Sequence, residues 1–256
     1  MPLLQTNGIS IYFGGLRAVH NFTLAIDRGQ VRGLIGPNGA GKTTVFNMIT
    51  GIEKPTEGSI LFEGKSIVGL RPYEIAGLGI GRTFQNMRLW RHMSVLEHVK
   101  MSQYSKIDYG LMGAFLGTAR RSRQEKEFEE RAYTLLELMG VSRFASQGIT
   151  GLPYGVQRRV EIARAMAMQP KLLLLDEPTA GMNPEELAVM VEIIRKIKNE
   201  FNLAIFLIEH RMKFVMDLCE LIQTLDFGEV IAEGTPDEIR NNPRVIDAYL
   251  GKEAEI

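Results

Sequence analysis

The chain has 256 residues, 45% of them apolar, enough for one large domain or two small ones with a substantial buried core. Lys plus Arg equals Asp plus Glu at 30 each, so the net charge is zero and gives no electrostatic footprint for nucleic acid. The apolar runs at 172–175 and 203–208 fall far short of the roughly 20 residues of a membrane-spanning helix, and the single cysteine, Cys219, excludes an internal disulfide and suits a reducing compartment.

The N-terminal MPLLQTNGISIYF has neither a basic n-region nor a long apolar core, so no signal peptide is expected. A soluble chain that reaches any membrane through a partner is expected. Residues 3–13 and 18–26 read as two strands around a Gly-rich turn. VRGLIG, 31–36, is a short buried-type strand, followed by a Gly-rich loop and a helix from about 42. Residues 59–64 and 79–84 read as further strands. From about 94 to 165 the pattern is mostly helical, with Phe128, Ala132, Leu135, Leu136 and Met139 on one face. KLLLLDEP, 171–178, is an apolar strand ending in two acids and a proline. EELAVMVEIIRKIKNE, 185–200, is an amphipathic helix, and LAIFLIEH, 203–210, another buried strand. A helix, the strands LIQTLDF and GEVIAEG, and a helical tail complete the chain. The tail opens on a capping box, Thr235 to Glu238, with Pro236 at the first helical position. Strands alternating with helices predict an α/β fold whose mostly parallel sheet binds ligands beyond the carboxyl ends of its strands. No internal repeat or low-complexity linker interrupts it.

Gly36-Pro37-Asn38-Gly39-Ala40-Gly41-Lys42-Thr43 matches G-x-x-x-x-G-K-[ST] between a predicted strand and a predicted helix, with Thr44 following. Glycines let backbone N–H groups curl round phosphates, the helix N-terminus adds its positive end, Lys42 reaches the β/γ oxygens and the Thr43 hydroxyl can ligate Mg²⁺. A chance Gly-rich turn is the bland alternative; the full pattern arises by chance in roughly one such chain in a hundred, so nucleotide binding is the better reading. Asp176 ends a buried strand and is suited to Mg²⁺, directly or through water. Glu177 is suited to polarise an attacking water, or is a solvated strand-end carboxylate. His210 also ends a strand, where it can sense a γ-phosphate or be merely exposed. Gln85 in RTFQN offers an uncharged amide to metal or water. His20, His92 and His98 have no such context and read as structural.

These pieces, in this order, resemble the ATP-binding cassette (ABC) family over nearly the whole chain. The resemblance implies a P-loop NTPase cassette with an N-terminal antiparallel β subdomain and an inserted helical subdomain. Residues 1–93 and 166–256 would form the nucleotide-binding core and 94–165 the helical part of a single ATPase domain. It implies ATP and Mg²⁺ as ligands, Phe13 stacking on adenine, Gln85 as the Q-loop glutamine and His210 as the switch histidine. LPYGVQ, 152–157, falls where the family has its signature, usually Leu-Ser-Gly-Gly-Gln. In that family two cassettes pack head to tail, and each signature closes on the γ-phosphate held by the other, which would place Tyr154, Gly155 and Val156 at the partner's nucleotide. Gly155 permits close backbone approach to a phosphate. Pro153, Tyr154 and Val156 depart from the pattern, as do Asn183 in TAGMNP, where an aspartate is usual, and Arg211 after His210.

The YGxQRRxEIARAM form of the signature, the AGxNP loop and the tail EGTPDEIRNNPRVIDAYLG resemble the branched-chain amino acid importers. The insertion at 110–132 is similar to the larger of their two ATP-binding subunits. That implies a second cassette, paralogous or identical, two membrane permeases, an external binding protein reached indirectly, and a place on the cytoplasmic face of the membrane. Met87, Leu89, Trp90 and Met93 would line a groove for a permease helix, or else belong to the core. A cassette for another substrate or for export is the near alternative. A cassette acting on ribosomes or DNA is disfavoured by zero net charge and the lack of a second cassette or coiled coil, and a non-hydrolysing regulator by Glu177 and His210.

Overall fold

The computed structural model describes residues 1–87, 89–108 and 118–250. Strands β1 (Leu4–Phe13) and β2 (Leu16–Ile26) form a hairpin, followed by β3 (Val31–Ile35), helix α1 (Lys42–Ile49), β4 (Glu57–Phe62) and β5 (Lys65–Ser66). Next come α2 (Pro72–Leu78), β6 (Ile80–Arg82), α3 (Val95–Met101), α4 (Ala119–Leu138), α5 (Tyr154–Ala167), β7 (Leu172–Asp176), α6 (Pro184–Phe201) and β8 (Ala204–Ile208). The last elements are α7 (Met212–Leu218), β9 (Leu221–Asp226), β10 (Glu229–Gly234), α8 (Pro236–Arg240) and α9 (Pro243–Leu250).

Two sheets result. The first has the order β2-β1-β4-β5 and is antiparallel. The second has the order β10-β9-β3-β8-β7-β6 and is parallel except for the β9–β10 hairpin. β3, β7 and β8 are buried at every position, because both faces of the second sheet are covered; that is why these strands read as unbroken apolar runs. Their side chains still alternate between faces. Leu172, Leu174 and Phe206 join α1 and the antiparallel sheet in one core, whereas Leu173, Leu175, Ile205 and Leu207 join α5, α6 and α7 in the other.

The helical region is less continuous than its composition suggests: a short 3-10 helix, Ser102–Lys106, follows α3, and another, Ser142–Phe144, lies with turns between α4 and α5. The face predicted on α4 is real, with Phe128, Ala132, Leu135, Leu136 and Met139 all buried. Of the insertion at 110–132, residues 110–117 lie outside the described residues. The strand expected at 79–84 is only Ile80–Arg82. β8 stops at Ile208, which leaves Glu209 and His210 beyond the ladder. The helix α2 is absent from the sequence reading. Among the described residues no helix is long and apolar enough to cross a membrane.

Candidate active site

The phosphate loop joins β3 to α1. Gly36 has φ 146° and a Cβ there would lie 2.0 Å from the Leu225 carbonyl oxygen; Gly41 has φ 103° and its Cβ would lie 2.5 Å from the Ala18 oxygen. Any side chain at either position would collide with backbone, so glycine is required by a close approach as well as by conformation. Lys42 is buried, and its Nζ donates to the carbonyls of Gly36 at 2.7 Å and Pro37 at 2.9 Å. The ammonium is thus held over its own loop, where an anion would meet it. Phe13, Asn38, Gly39, Ala40, Gly41, Lys42, Thr43, Thr44, Gln85 and Glu177 all line one open cavity of about 640 Å³. Gly36 and Pro37 do not line it; their carbonyls hold Lys42, which does.

The strand-end acids have different settings. The Asp176 side chain is buried and accepts from Arg82 Nη2 at 3.1 Å. Burial pushes its carboxyl up from the ordinary range, and the Arg82 guanidinium opposes that shift. Arg82 also donates to Asn47 Oδ1 and Thr50 Oγ1, which locks it against α1. Glu177 faces the cavity instead. Its Oε2 accepts from Gln85 Nε2 at 2.9 Å, and its Oε1 stands 3.8 Å from His210 Nδ1. Glu177, Gln85 and His210 come from three distant segments and converge on the open side of the loop. Among the described residues no cluster of three or more His, Cys, Asp or Glu can cage a metal. The donors present suit Mg²⁺, which takes one or two protein oxygens and completes its shell with phosphate and water.

Tyr154, Gly155 and Val156 do not line that cavity. They open α5, whose N-cap is Pro153 without a side-chain capping bond. The Val156 side chain is buried in the core and its N–H donates to the Pro153 carbonyl at 2.9 Å. Gly155 is also buried, and a Cβ there would lie 2.7 Å from Glu186 Oε1 on α6. Within the chain, therefore, the glycine serves close packing against a carboxylate. The exposed Tyr154 ring lies beneath Arg158, which donates to its hydroxyl at 3.0 Å.

A family model described as "ABC transporter" matches residues 19–180. The chain belongs to the ABC transporter family. A second model, "Branched-chain amino acid ATP-binding cassette transporter", matches residues 229–255. The chain is 47% identical to the high-affinity branched-chain amino acid transport ATP-binding protein LivG of Salmonella typhimurium, over 98% of each chain. It superposes on the crystal structure of the ADP conformation of MJ1267, an ATP-binding cassette of an ABC transporter, with TM-score 0.86 and 31% identity, covering 98% of this chain and 99% of that one. A dimeric cassette, MJ0796 bound to ADP and Pi, superposes with TM-score 0.77 and 26% identity over 91% and 98%. As an ABC transporter cassette, this chain is a nucleotide-binding ATPase.

Two residues of the cassette, Phe227 and Glu209, are not singled out by the sequence, and a third, Arg211, gains a role only in the fold. Phe227, strongly exposed with φ 43° at the β9–β10 turn, lines the nucleotide cavity with Phe13 and Leu16; only the tight DFG turn signals it. Glu209 is fully buried: Oε1 accepts from Thr179 N–H at 3.0 Å and from its hydroxyl, and Oε2 accepts from the N–H groups of His210 at 3.0 Å and Arg211 at 3.2 Å. That carboxylate fixes the backbone on which His210 is carried. Arg211 donates to the Met182 carbonyl at 2.8 Å, so the residue that departs from the family pattern braces the AGMNP turn.

Proposed function

We propose that this chain is the ATP-hydrolysing, energy-coupling subunit of an importer for branched-chain amino acids. Hydrolysis rests on one observation above the others: Glu177 lies between Gln85 and His210 at the mouth of the phosphate-loop cavity. The reaction is in-line attack of water on the γ-phosphate. Lys42 and the loop amides hold the phosphates, Glu177 takes the water's proton, and Gln85 and His210 orient the water and the transferred γ-phosphoryl group, so that phosphate forms and ADP leaves. Phe13 stacks on the adenine. Mg²⁺, which supplies charge neutralisation at the phosphates when bound, would be held by Thr43, Gln85 and Asp176. The amino-acid substrate follows from similarity to LivG and from the match at 229–255.

The same reading assigns 94–165 as a helical part inserted in the nucleotide-binding core; packing of α3, α4 and α5 on one another supports it. A second cassette pairs with this one, a reading supported by the dimeric state of one similar cassette; it presents its signature helix to this nucleotide, and Tyr154 and Gly155 are this chain's contribution in return. Two permeases hold the pair at the cytoplasmic face, fed by an external binding protein. A cavity of about 360 Å³ beside the Q-loop, lined in part by Met87, Leu89, Ile149 and Tyr154, is the seat for a permease helix. Trp90 stacks on His98 beside it, and Met93 is half-buried.

The test is capture of the tagged chain from gently solubilised native membranes. Two polytopic permeases and a second cassette are expected, with leucine, isoleucine or valine stimulating ATPase once the complex and its binding protein are reconstituted in vesicles. Recovery with ribosomes or DNA and no membrane protein overturns the transport reading.

A further inference from the structure

The C-terminal helix reaches the phosphate loop. The backbone N–H of Gly36 donates to the Tyr249 hydroxyl oxygen at 2.9 Å. Gly36 is where the chain leaves β3 and begins to curl, and its carbonyl accepts from Lys42 Nζ at 2.7 Å. One peptide residue is therefore held on both of its polar groups: by Lys42 from inside the loop and by Tyr249 from α9. The helix that carries the tyrosine is seated by Val245, which is buried beside Ile239 in the core. Tyr249 lies four residues on, on the same helical face, and packs against that core. The seat is not filled throughout: an open cavity of about 500 Å³, lined by Met212, Met216, Ile239, Val245, Ile246 and Tyr249 among others, runs between α7 and the last two helices. The helix also rests on β10 and α8, and the bond to Gly36 ties it directly to the phosphate loop. Burial pushes the Tyr249 phenol up, so the hydroxyl remains neutral at physiological pH and accepts through a lone pair.

We infer that Tyr249 is a positioning residue of the nucleotide site, through which the C-terminal helix fixes the Gly36 peptide and sets affinity for ATP. The inference rests on the phosphate-loop site proposed above. When Lys42 turns to the β/γ oxygens it releases the Gly36–Pro37 peptide, and the Tyr249 bond still holds the preceding Ile35–Gly36 peptide, where the chain leaves β3 for the loop. Tyr249 lies within 229–255, the residues matched by the branched-chain family model, and outside the 19–180 matched by the general one. The device thus belongs to the part of the chain that distinguishes this cassette from others.

The experiment compares the full chain with Tyr249→Phe, which removes the hydroxyl and keeps the ring, and with Tyr249→Ala. ATP affinity is read with a fluorescent ATP analogue, KM and kcat by steady-state hydrolysis, and folding by the thermal midpoint without nucleotide. Tyr249→Phe is expected to weaken ATP binding about 3- to 10-fold, the loss of one hydrogen bond, and to raise KM similarly while kcat stays within about twofold and the midpoint is unchanged. Tyr249→Ala is expected to lower the midpoint as well. Wild-type affinity in Tyr249→Phe overturns the inference, and so does a lowered midpoint with unchanged affinity, which would make the bond one of helix docking alone. Failure of the wild-type chain to bind the analogue would instead overturn the nucleotide site itself.

Discussion

Glu177 has φ 47°, in the left-handed region that a residue with a side chain adopts at a cost. The surrounding backbone holds it there: its N–H donates to the Ile208 carbonyl at 2.9 Å, across to β8. The turn separates two consecutive acids, leaving Asp176 buried against Arg82 and aiming Glu177 at Gln85 and His210. A general base contributes about 10²- to 10⁴-fold to a rate. Glu177→Gln is therefore predicted to bind ATP as the wild type does and to lose at least about 99% of steady-state turnover. Wild-type turnover in that variant would take Glu177 out of the reaction. Lys42→Ala should fail earlier, at binding, because it removes the cation held over the loop; an unaltered ATP affinity, measured by titration, would show that the amides alone retain the phosphates.

At the scale of elements, α5 shows what a sequence hides. Its stretch QRRVEIARAM is rich in arginine, yet Arg158 and Glu161 are each only 1% exposed and paired at 2.8 Å. Arg158 also donates to the carbonyls of Phe84, at 2.6 Å, and Gln85, while Glu161 accepts from the Phe84 N–H at 3.2 Å. The chain beyond β6 leaves the sheet, so its backbone groups need partners from elsewhere. A buried pair on α5 supplies them and ties the signature helix to the Q-loop. No periodicity rule finds this, because the demand comes from a segment some 70 residues away. The α2 helix is hidden for another reason: seven residues containing Gly77 give too little pattern, and no Ser, Thr, Asp or Asn caps it; the Arg71 backbone N–H donates to Glu74 Oε2 at 2.7 Å, and an arginine side chain offers no acceptor in return. By contrast, β3, β7 and β8 were legible because burial on both faces forces an unbroken apolar run, and so were the phosphate loop and strand-end acids that follow from them.

Replacing Glu161 with Leu strands the buried guanidinium and should cost about 3–5 kcal/mol in chemical denaturation; adding Arg158→Met should recover much of that loss, whereas no recovery would mean that the carbonyls of Phe84 and Gln85 matter more than the charge pair. His98 on α3 makes a second element-scale prediction. It is fully buried, accepts from the Trp90 N–H at 2.9 Å through Nε2 and donates from Nδ1 to the Ser94 carbonyl at 2.7 Å. Burial lowers its pKa below the ordinary imidazole value of about 6.5. The unfolded chain therefore takes up a proton there before the native one does, and stability falls as pH drops from about 6.5 toward the lowered native value. Denaturation midpoints followed from pH 7.5 to 5 should show this slope, and His98→Gln should flatten it; identical slopes would assign the acid sensitivity elsewhere.

For the whole molecule, the question is how strongly ATP closes two cassettes on each other. The face that α5 offers a partner is altered at its first residue: Pro153 provides neither hydroxyl nor N–H, and the Glu186 carboxylate stands close beside Gly155. The amides of Tyr154 and Gly155 belong to the first turn, where no intrahelical acceptor exists, so they remain the natural donors to a partner's γ-phosphate. Self-association through this face should then be weak, and a second cassette with a serine in its signature would complete one site better than this chain completes the other. In a Glu177→Gln background, which preserves bound ATP, Pro153→Ser is predicted to increase the ATP-dependent dimer seen by light scattering, with Pro153→Ala as the control for relief of proline alone. Equal gains from serine and alanine would assign the effect to the backbone N–H, and no gain from either would place the limit at Glu186 or Tyr154. In the assembled transporter the same reasoning predicts unequal hydrolysis at the two sites, with the slower one facing Pro153; Glu177→Gln and the equivalent substitution in the second cassette, each made alone, separate the two rates, and equal residual rates would remove Pro153 as the source of asymmetry.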